Sequence, residues 1–306
     1  MKDIKKYQGV IPAFYACYDA EGNISVEGVK ALTRHLIAKG VKGVYVGGSS
    51  GECIYQHVDE RKTVLEAVMS EAKGKLTVIA HVGCNNTADS MELARHAESV
   101  GVDAIASIPP IYFHLPEYAI AKYWNDMSAE APNTEFVIYN IPQLAGTALT
   151  MSLLNEMLKN PNVVAVKNSS MPTQDIQLFK DAGIQARGED GFAVFNGPDE
   201  QFVSGLLAGA VRRYVTDRPA LLRTALAFFP AAIVGSVLWQ SMALALVYGG
   251  DAKQAFFLAK LVSRSIQFAL TGTVDTLIVW LLLRRGALNA VQRRIQVKGG
   301  AEHDHQ

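Results

Sequence analysis

The sequence predicts an α/β fold: a TIM (β/α)8-type barrel, incomplete after strand seven, that continues into an apolar helical C-terminal region. Short apolar, β-branched runs recur at a spacing of about thirty residues, each followed by a helical pattern, as repeated βα units require. Apolar residues make up 49% of the 306, enough for a large core. The rhythm stops near Val211, where the composition changes.

Taken in order, strands are predicted at GVIPAFY near Val10, GVYVGG near Val44, LTVIAHVG near Val78 and AIASIPP near Ile105. FVIYNIP near Val137, VVAVK near Val164 and FAVFNG near Val194 complete seven. Between them, SVEGVKALTRHLIAKG carries Val26, Val29, Leu32 and Leu36 on one face, and VDERKTVLEAVMSEAKG carries Val64, Leu65 and Val68. Each of these helices ends in a glycine, a common stop signal. A helix around DEQFVSGLLAGA should lead to an eighth strand, which the sequence does not supply cleanly. This divides the chain into a barrel over 1–210 and an atypical apolar helical region over 211–306.

In that second region VRRYVTDRPALLR is basic, and Ala225 to Gly250 then runs 26 residues without a charge, long enough to span a bilayer. A second stretch, Ile266 to Leu283, carries only Asp275 and is closed by Arg284 and Arg285. Together they predict membrane contact through 225–283, as a hairpin with both ends cytoplasmic. Buried helices of a soluble protein, a fusion and a frameshifted segment are the alternatives, and Pro230, Gln240, Ser241 and Gln267 suit the first of these.

Lys+Arg and Asp+Glu both number 29, so no basic field points to nucleic acid and a small-molecule partner is expected. Cys17, Cys53 and Cys84 are odd in number and lack metal spacing, which predicts no metal site and a reducing, cytoplasmic compartment. MKDIKKYQGV has no apolar stretch behind its charges, so no secretory signal is expected.

The ends of parallel barrel strands converge on one face, so their residues are read together. Strand two ends in GGSSGE, where glycines let the backbone approach a ligand and Ser49, Ser50 and neighbouring N–H groups suit a carboxylate. Strand five ends at Tyr139 and strand six at Lys167, an amine placed to attack a ketone and a phenol placed to carry protons. Strand seven ends in NGPDE, which sets Gly197, Asp199 and Glu200 at the mouth, suited to a polyhydroxylated substrate. Each has a plainer reading. The serines could cap a turn, the acids could favour a helix start, Lys167 could reach solvent, and Tyr139 could be a core aromatic. His57, His81 and His114 have no ligand spacing and read as polar loop residues.

GGSSGE, YNIP, VKNSS and NGPDE, in this order, resemble the N-acetylneuraminate lyase family, one of the pyruvate-dependent class I aldolases that also include dihydrodipicolinate synthase. The resemblance covers about residues 1–210. It implies that Lys167 forms a Schiff base with the C2 ketone of open-chain sialic acid and that Tyr139 moves the proton. Retro-aldol cleavage of C3–C4 would then give N-acetylmannosamine and pyruvate without metal or cofactor. It further implies that Ser49 and Ser50 hold the pyruvate carboxylate and that Ser169, Gly197, Asp199 and Glu200 hold the sugar. Tyr112, in PPIYFH, would complete a proton network near a neighbouring subunit of a homotetramer.

Dihydrodipicolinate synthase usually has GTTGE and an arginine shortly after YNxP. Here the chain reads YNIPQLAG, which favours the lyase. A 2-keto-3-deoxy sugar acid aldolase is an alternative, as is a membrane-anchored, non-catalytic sugar-acid binding protein. The family continues with a glycine-rich eighth strand where this chain reads VRRYVTDRPALL, so no role is carried over to Thr216.

Overall fold

The computed structural model describes residues 4–172, 174–203, 205, 241–242, 245–246 and 253–284. The chain divides into two units, 1–202 and 203–306.

The first unit is built on six parallel strands that neighbour one another in chain order: β1 (Gly43–Val46), β2 (Thr77–His81), β3 (Ala104–Ser107), β4 (Glu135–Asn140), β5 (Val163–Asn168) and β6 (Ala193–Asn196). Parallel neighbours need crossovers, and here helices supply them: α1 (Val26–Ala38) precedes β1, and α2 (Val58–Ala72), α3 (Thr87–Val100) and α4 (Glu117–Glu130) follow β1, β2 and β3. The short α5 (Pro142–Ala145) and α6 (Met151–Met157) follow β4, and α7 (Gln174–Arg187) follows β5. The helices begin where the sequence offers caps. Ser25 Oγ accepts from Gly28 N–H at 3.1 Å, Asn86 Oδ1 from Ala88 N–H at 2.8 Å, and Thr150 Oγ1 from Leu153 N–H at 3.1 Å. Gly40 and Gly74, just past α1 and α2, take positive φ of 73° and 74°, the backbone geometry that ends helices most easily in glycine.

Side chains alternate between two cores. Val44, Val46, Val78, Ala80, Ile105, Phe136, Ile138 and Val166 pack against Val29, Val64, Leu65, Val68, Trp124 and Leu153 of the helices. On the other face Tyr45, Ile79, Ala104, Ala106, Val137, Tyr139 and Ala165 pack with Ile4 and Tyr7. The alternation slips once. Phe136 pairs with Val163, but Val137 pairs with Ala165, so Val164 is an extra residue in β5 and joins Ala165 on the second face.

The N-terminal turn Ile4–Tyr7 sits at the start of β3 and β4. Lys6 Nζ lies 3.1 Å from Glu135 Oε2 and 3.6 Å from Asp103 Oδ1, and the Tyr7 hydroxyl donates to Glu135 Oε2.

Six of the seven predicted strands are present. The seventh, near Val10, is corrected: the segment runs beside β1 but forms one isolated bridge, Ala13 to Tyr45. Lys42 N–H donates to Val10 O, Tyr45 N–H to Pro12 O and Phe14 N–H to Tyr45 O, each at 2.9 Å. Pro12 has no N–H to give, and Gly9 at φ 132° precedes it, so a regular ladder does not extend further. The segment still covers the edge of β1.

Of the second unit, the helix Lys253–Arg284 is described. The expected eighth strand, Thr216 and nearly all of the expected span 225–250 lie outside the described residues. Among the described residues no helix is long and apolar enough to cross a membrane, so the expected hairpin has no spanning helix there to rest on.

Candidate active site

The site is assembled at the C-terminal ends of β1, β2, β4 and β5. The extra Val164 in β5 brings Lys167 opposite Tyr139 and Asn168 opposite Asn140. Both Tyr139 and Lys167 then follow the second face, two residues beyond Val137 and Ala165. Lys167 Nζ lies 3.7 Å from the centre of the Tyr139 ring and 4.2 Å from that of Tyr45. The two rings meet edge to face at 5.4 Å, and both are buried. An amine is thus held between two aromatic walls at the end of a strand, able to meet a carbonyl carbon from the open side.

Ser49 comes next. Gly47, at φ 67°, turns the chain out of β1, and Gly48 lies so close to the Tyr45 ring that a Cβ there would stand 2.8 Å from it. The short turn Ser49–Gly51 follows, and its first N–H groups have no partner within the turn. Ser49 Oγ lies 3.5 Å from the Tyr139 hydroxyl. Ser50 is exposed on the same turn. Gln56 Nε2 donates to Gly51 O at 3.1 Å and braces the loop from behind.

Ser169 and Gly197 prolong the strand pairing past β5 and β6. Ser169 N–H donates to Asn140 O and Gly197 N–H to Asn168 O, both at 2.7 Å. A Cβ on Gly197 would stand 2.1 Å from Ser169 Oγ and 2.8 Å from Asn168 O, so the serine hydroxyl occupies space that only glycine leaves. One residue past Tyr139 and Lys167, Asn140 Nδ2 donates to Asn168 Oδ1 at 2.8 Å, and Asn140 Oδ1 accepts from Leu149 N–H at 2.9 Å. This buried amide pair ties the ends of β4 and β5 together.

Asp199 is exposed in the turn Asp199–Gln201, which also contains Glu200. Tyr112 stands apart from Lys167 within this chain. It projects from the loop after β3 at φ 84°, is 87% exposed, and its ring meets Phe113 edge to face at 4.9 Å.

Three residues at the site are not predicted from the sequence. Tyr45 forms the second wall of the lysine pocket, and its buried hydroxyl has no partner among the described residues. Burial pushes that phenol well above its ordinary range. His81, expected in a loop, is instead the buried last residue of β2, and its ring meets Tyr139 edge to face at 6.2 Å. Burial, and then the charges of Arg61 and Lys167, lower its pKa well below 6.5. Arg61, in α2, is buried behind His81; its Nη2 donates to His81 O at 2.7 Å and its Nη1 to Gly83 O at 2.9 Å. Period-two counting from Ile79 would have placed His81 on the face of Tyr45 and Tyr139. Among the described residues no group of three or more His, Cys, Asp and Glu side chains is placed to hold one metal ion.

An N-acetylneuraminate lyase of Mediterraneibacter gnavus is 72% identical over 210 residues, a match that covers 69% of this chain and 65% of that one, just under two thirds of its length. An N-acetylneuraminate lyase of Citrobacter koseri is 37% identical over 206 residues, covering 67% of each chain. Among solved structures, the wild-type sialic acid aldolase of Ruminococcus gnavus aligns with a TM-score of 0.63 at 49% identity, covering 89% of this chain and 99% of that one. Residues 6–215 match the Dihydrodipicolinate synthetase family, and the chain belongs to that family.

Proposed function

We propose that this protein is an N-acetylneuraminate lyase that works through a Schiff base on Lys167. The observation that carries the reading is the Lys167 amine, held between the rings of Tyr139 and Tyr45 at a strand end. The relatives named N-acetylneuraminate lyase support it, as does a catalytic lysine mutant of the Ruminococcus gnavus sialic acid aldolase, which aligns at 54% identity.

The neutral amine of Lys167 adds to the C2 ketone of open-chain sialic acid, and loss of water gives a protonated imine. Tyr139, left as phenolate once it has given its proton to the departing water, accepts the proton of the C4 hydroxyl, the C3–C4 bond breaks, and its electron pair flows into the C2 imine. N-acetylmannosamine leaves as the aldehyde. The remaining enamine takes a proton at C3 and is hydrolysed to pyruvate and free lysine. Ser49, at 3.5 Å from the Tyr139 hydroxyl, links proton movement to the carboxylate loop, where Ser50 and the first amides of the turn add donors. Ser169, Gly197, Asp199 and Glu200 receive the polyol end. No metal or cofactor takes part in this scheme.

In the same reading the six-stranded sheet is the larger part of a closed barrel. The exposed Tyr112 belongs to a neighbouring copy's site in a homotetramer. Three free cysteines suit a reducing cytoplasm.

The test is intact-mass analysis after incubation with pyruvate and borohydride, followed by peptide mapping. A reduced pyruvate adduct on Lys167 is expected. An adduct on another residue, or none on folded protein, overturns the mechanism.

A further inference from the structure

Arg61 is buried to 6% exposure, and among the described residues no carboxylate meets it. Its partners are neutral. Nη1 donates to Gly83 O at 2.9 Å and to Cys84 Sγ at 3.0 Å; Nη2 donates to His81 O at 2.7 Å and lies 3.3 Å from His81 Nδ1. Nε is buried and has no partner among the described residues. A guanidinium cannot shed its charge in a protein, and a buried charge is costly unless an opposite charge balances it. Among the described residues this interior positive charge therefore has no counter-ion.

The position of that charge says what the counter-ion is. Arg61 lines a cavity of about 20 Å³ together with Gly47, Gln56 and His81. Gly47 opens the loop that presents Ser49, and Gln56 holds the loop's far end through Gly51 O. The charge thus stands directly behind the loop read as the carboxylate grip. Its charge acts on the Tyr45 phenol, the Cys53 thiol and His81. The loop itself offers only neutral hydroxyls and amides. To attack a ketone the Lys167 amine must also be neutral, so at that moment it cannot balance a carboxylate.

We propose that Arg61 is the counter-charge for the substrate's carboxylate: a positioning residue that acts through the Gly47–Gly51 loop and His81 rather than by contact, and makes the site select α-keto acids over uncharged ketones. This rests on the reading of Lys167 as the Schiff-base lysine.

The test measures borohydride trapping by the full chain against concentration, for pyruvate and for its uncharged methyl ester. The wild type should be half-saturated by pyruvate well below the ester. Arg61→Met should raise the half-saturating pyruvate concentration on the order of tenfold while moving that of the ester less than about twofold, whereas Arg61→Lys should keep the preference. A loss of packing would move both ketones together, and equal shifts overturn the proposal. Gln56→Glu puts a carboxylate on the wall of the cavity that Arg61 also lines and leaves Arg61 itself unchanged. It should reduce the preference in the same direction, and an unchanged ratio in that variant overturns the proposal even if Arg61→Met does not fold. Wild-type protein that traps neither ketone overturns the Schiff-base reading itself, and this proposal with it.

Discussion

Lys167 is the register partner of Tyr139, with its amine 3.7 Å from the centre of the phenol ring. The pairing depends on Val164, the unpaired residue of β5. Without it, Lys167 would fall opposite Asn140 and point to the helix side, because side chains alternate every residue along a strand. The bulge therefore converts a lysine near the end of an apolar strand into one that faces the phenol.

Lys167→Ala should abolish the reduced pyruvate adduct while the protein stays folded, since among the described residues the amine has no hydrogen bond or ion pair to lose. Intact mass and circular dichroism together check this. Trapping equal to that of the wild type would place the Schiff base elsewhere.

Tyr139→Phe removes a hydroxyl and leaves the ring that packs on Tyr45 and Lys167. Cleavage of sialic acid should slow by about 10²-fold to 10⁴-fold, as for loss of a positioned general acid or base. The pyruvate concentration that half-saturates trapping should change less than about threefold, because the ring that lines the lysine is kept. Steady-state cleavage and trapping titrations give the two numbers.

Gly197→Ala would drive a methyl group to 2.1 Å from Ser169 Oγ. Either the serine rotates away or the end of β6 shifts, at a cost of about 1–3 kcal/mol. On the proposed assignment of Ser169 and Gly197 to the sugar end, KM for sialic acid should rise several-fold while pyruvate trapping at Lys167 stays near the wild-type level. A parallel loss of both would show that the glycine supports the lysine itself.

Much of this arrangement is legible from residue types alone, and the parts that are not have physical reasons. Lys167 and Tyr139 stand out because each is a polar group at the end of an apolar run. Tyr45 is hidden in GVYVGG as one more apolar residue, and only its neighbours across the sheet make it a wall of the pocket. His81 looks like a loop residue because a histidine after TVIA reads as the end of burial, yet β2 carries it inward. Arg61 sits in VDERK, which reads as a solvated helix face, and only the packing of α2 behind β2 buries it. The first strand is overcalled because GVIPAFY is apolar and β-prone, while Pro12 withholds the N–H a ladder needs. Val164 gives no signal at all, since a bulge in a run of valines leaves composition unchanged.

The acid stability of the fold should depend on His81. Its folded pKa lies well below 6.5, chiefly because burial disfavours the imidazolium and then because Arg61 and Lys167 repel it. In the unfolded chain the imidazole titrates near its ordinary value, so below about pH 6.5 the unfolded state binds a proton that the native state refuses. The contribution is therefore fully present above pH 6.5 and is lost as pH falls toward the folded pKa, with a limiting slope of about 1.4 kcal/mol per pH unit. His81→Gln cannot take up that proton in either state. Urea unfolding at a series of pH values from 7 to 5, a range of about two units around the ordinary imidazole pKa, should give a variant whose stability falls less steeply than the wild type's by up to one proton. Identical slopes would mean that His81 is protonated in the folded protein, which would put a third positive charge beside Arg61 and Lys167.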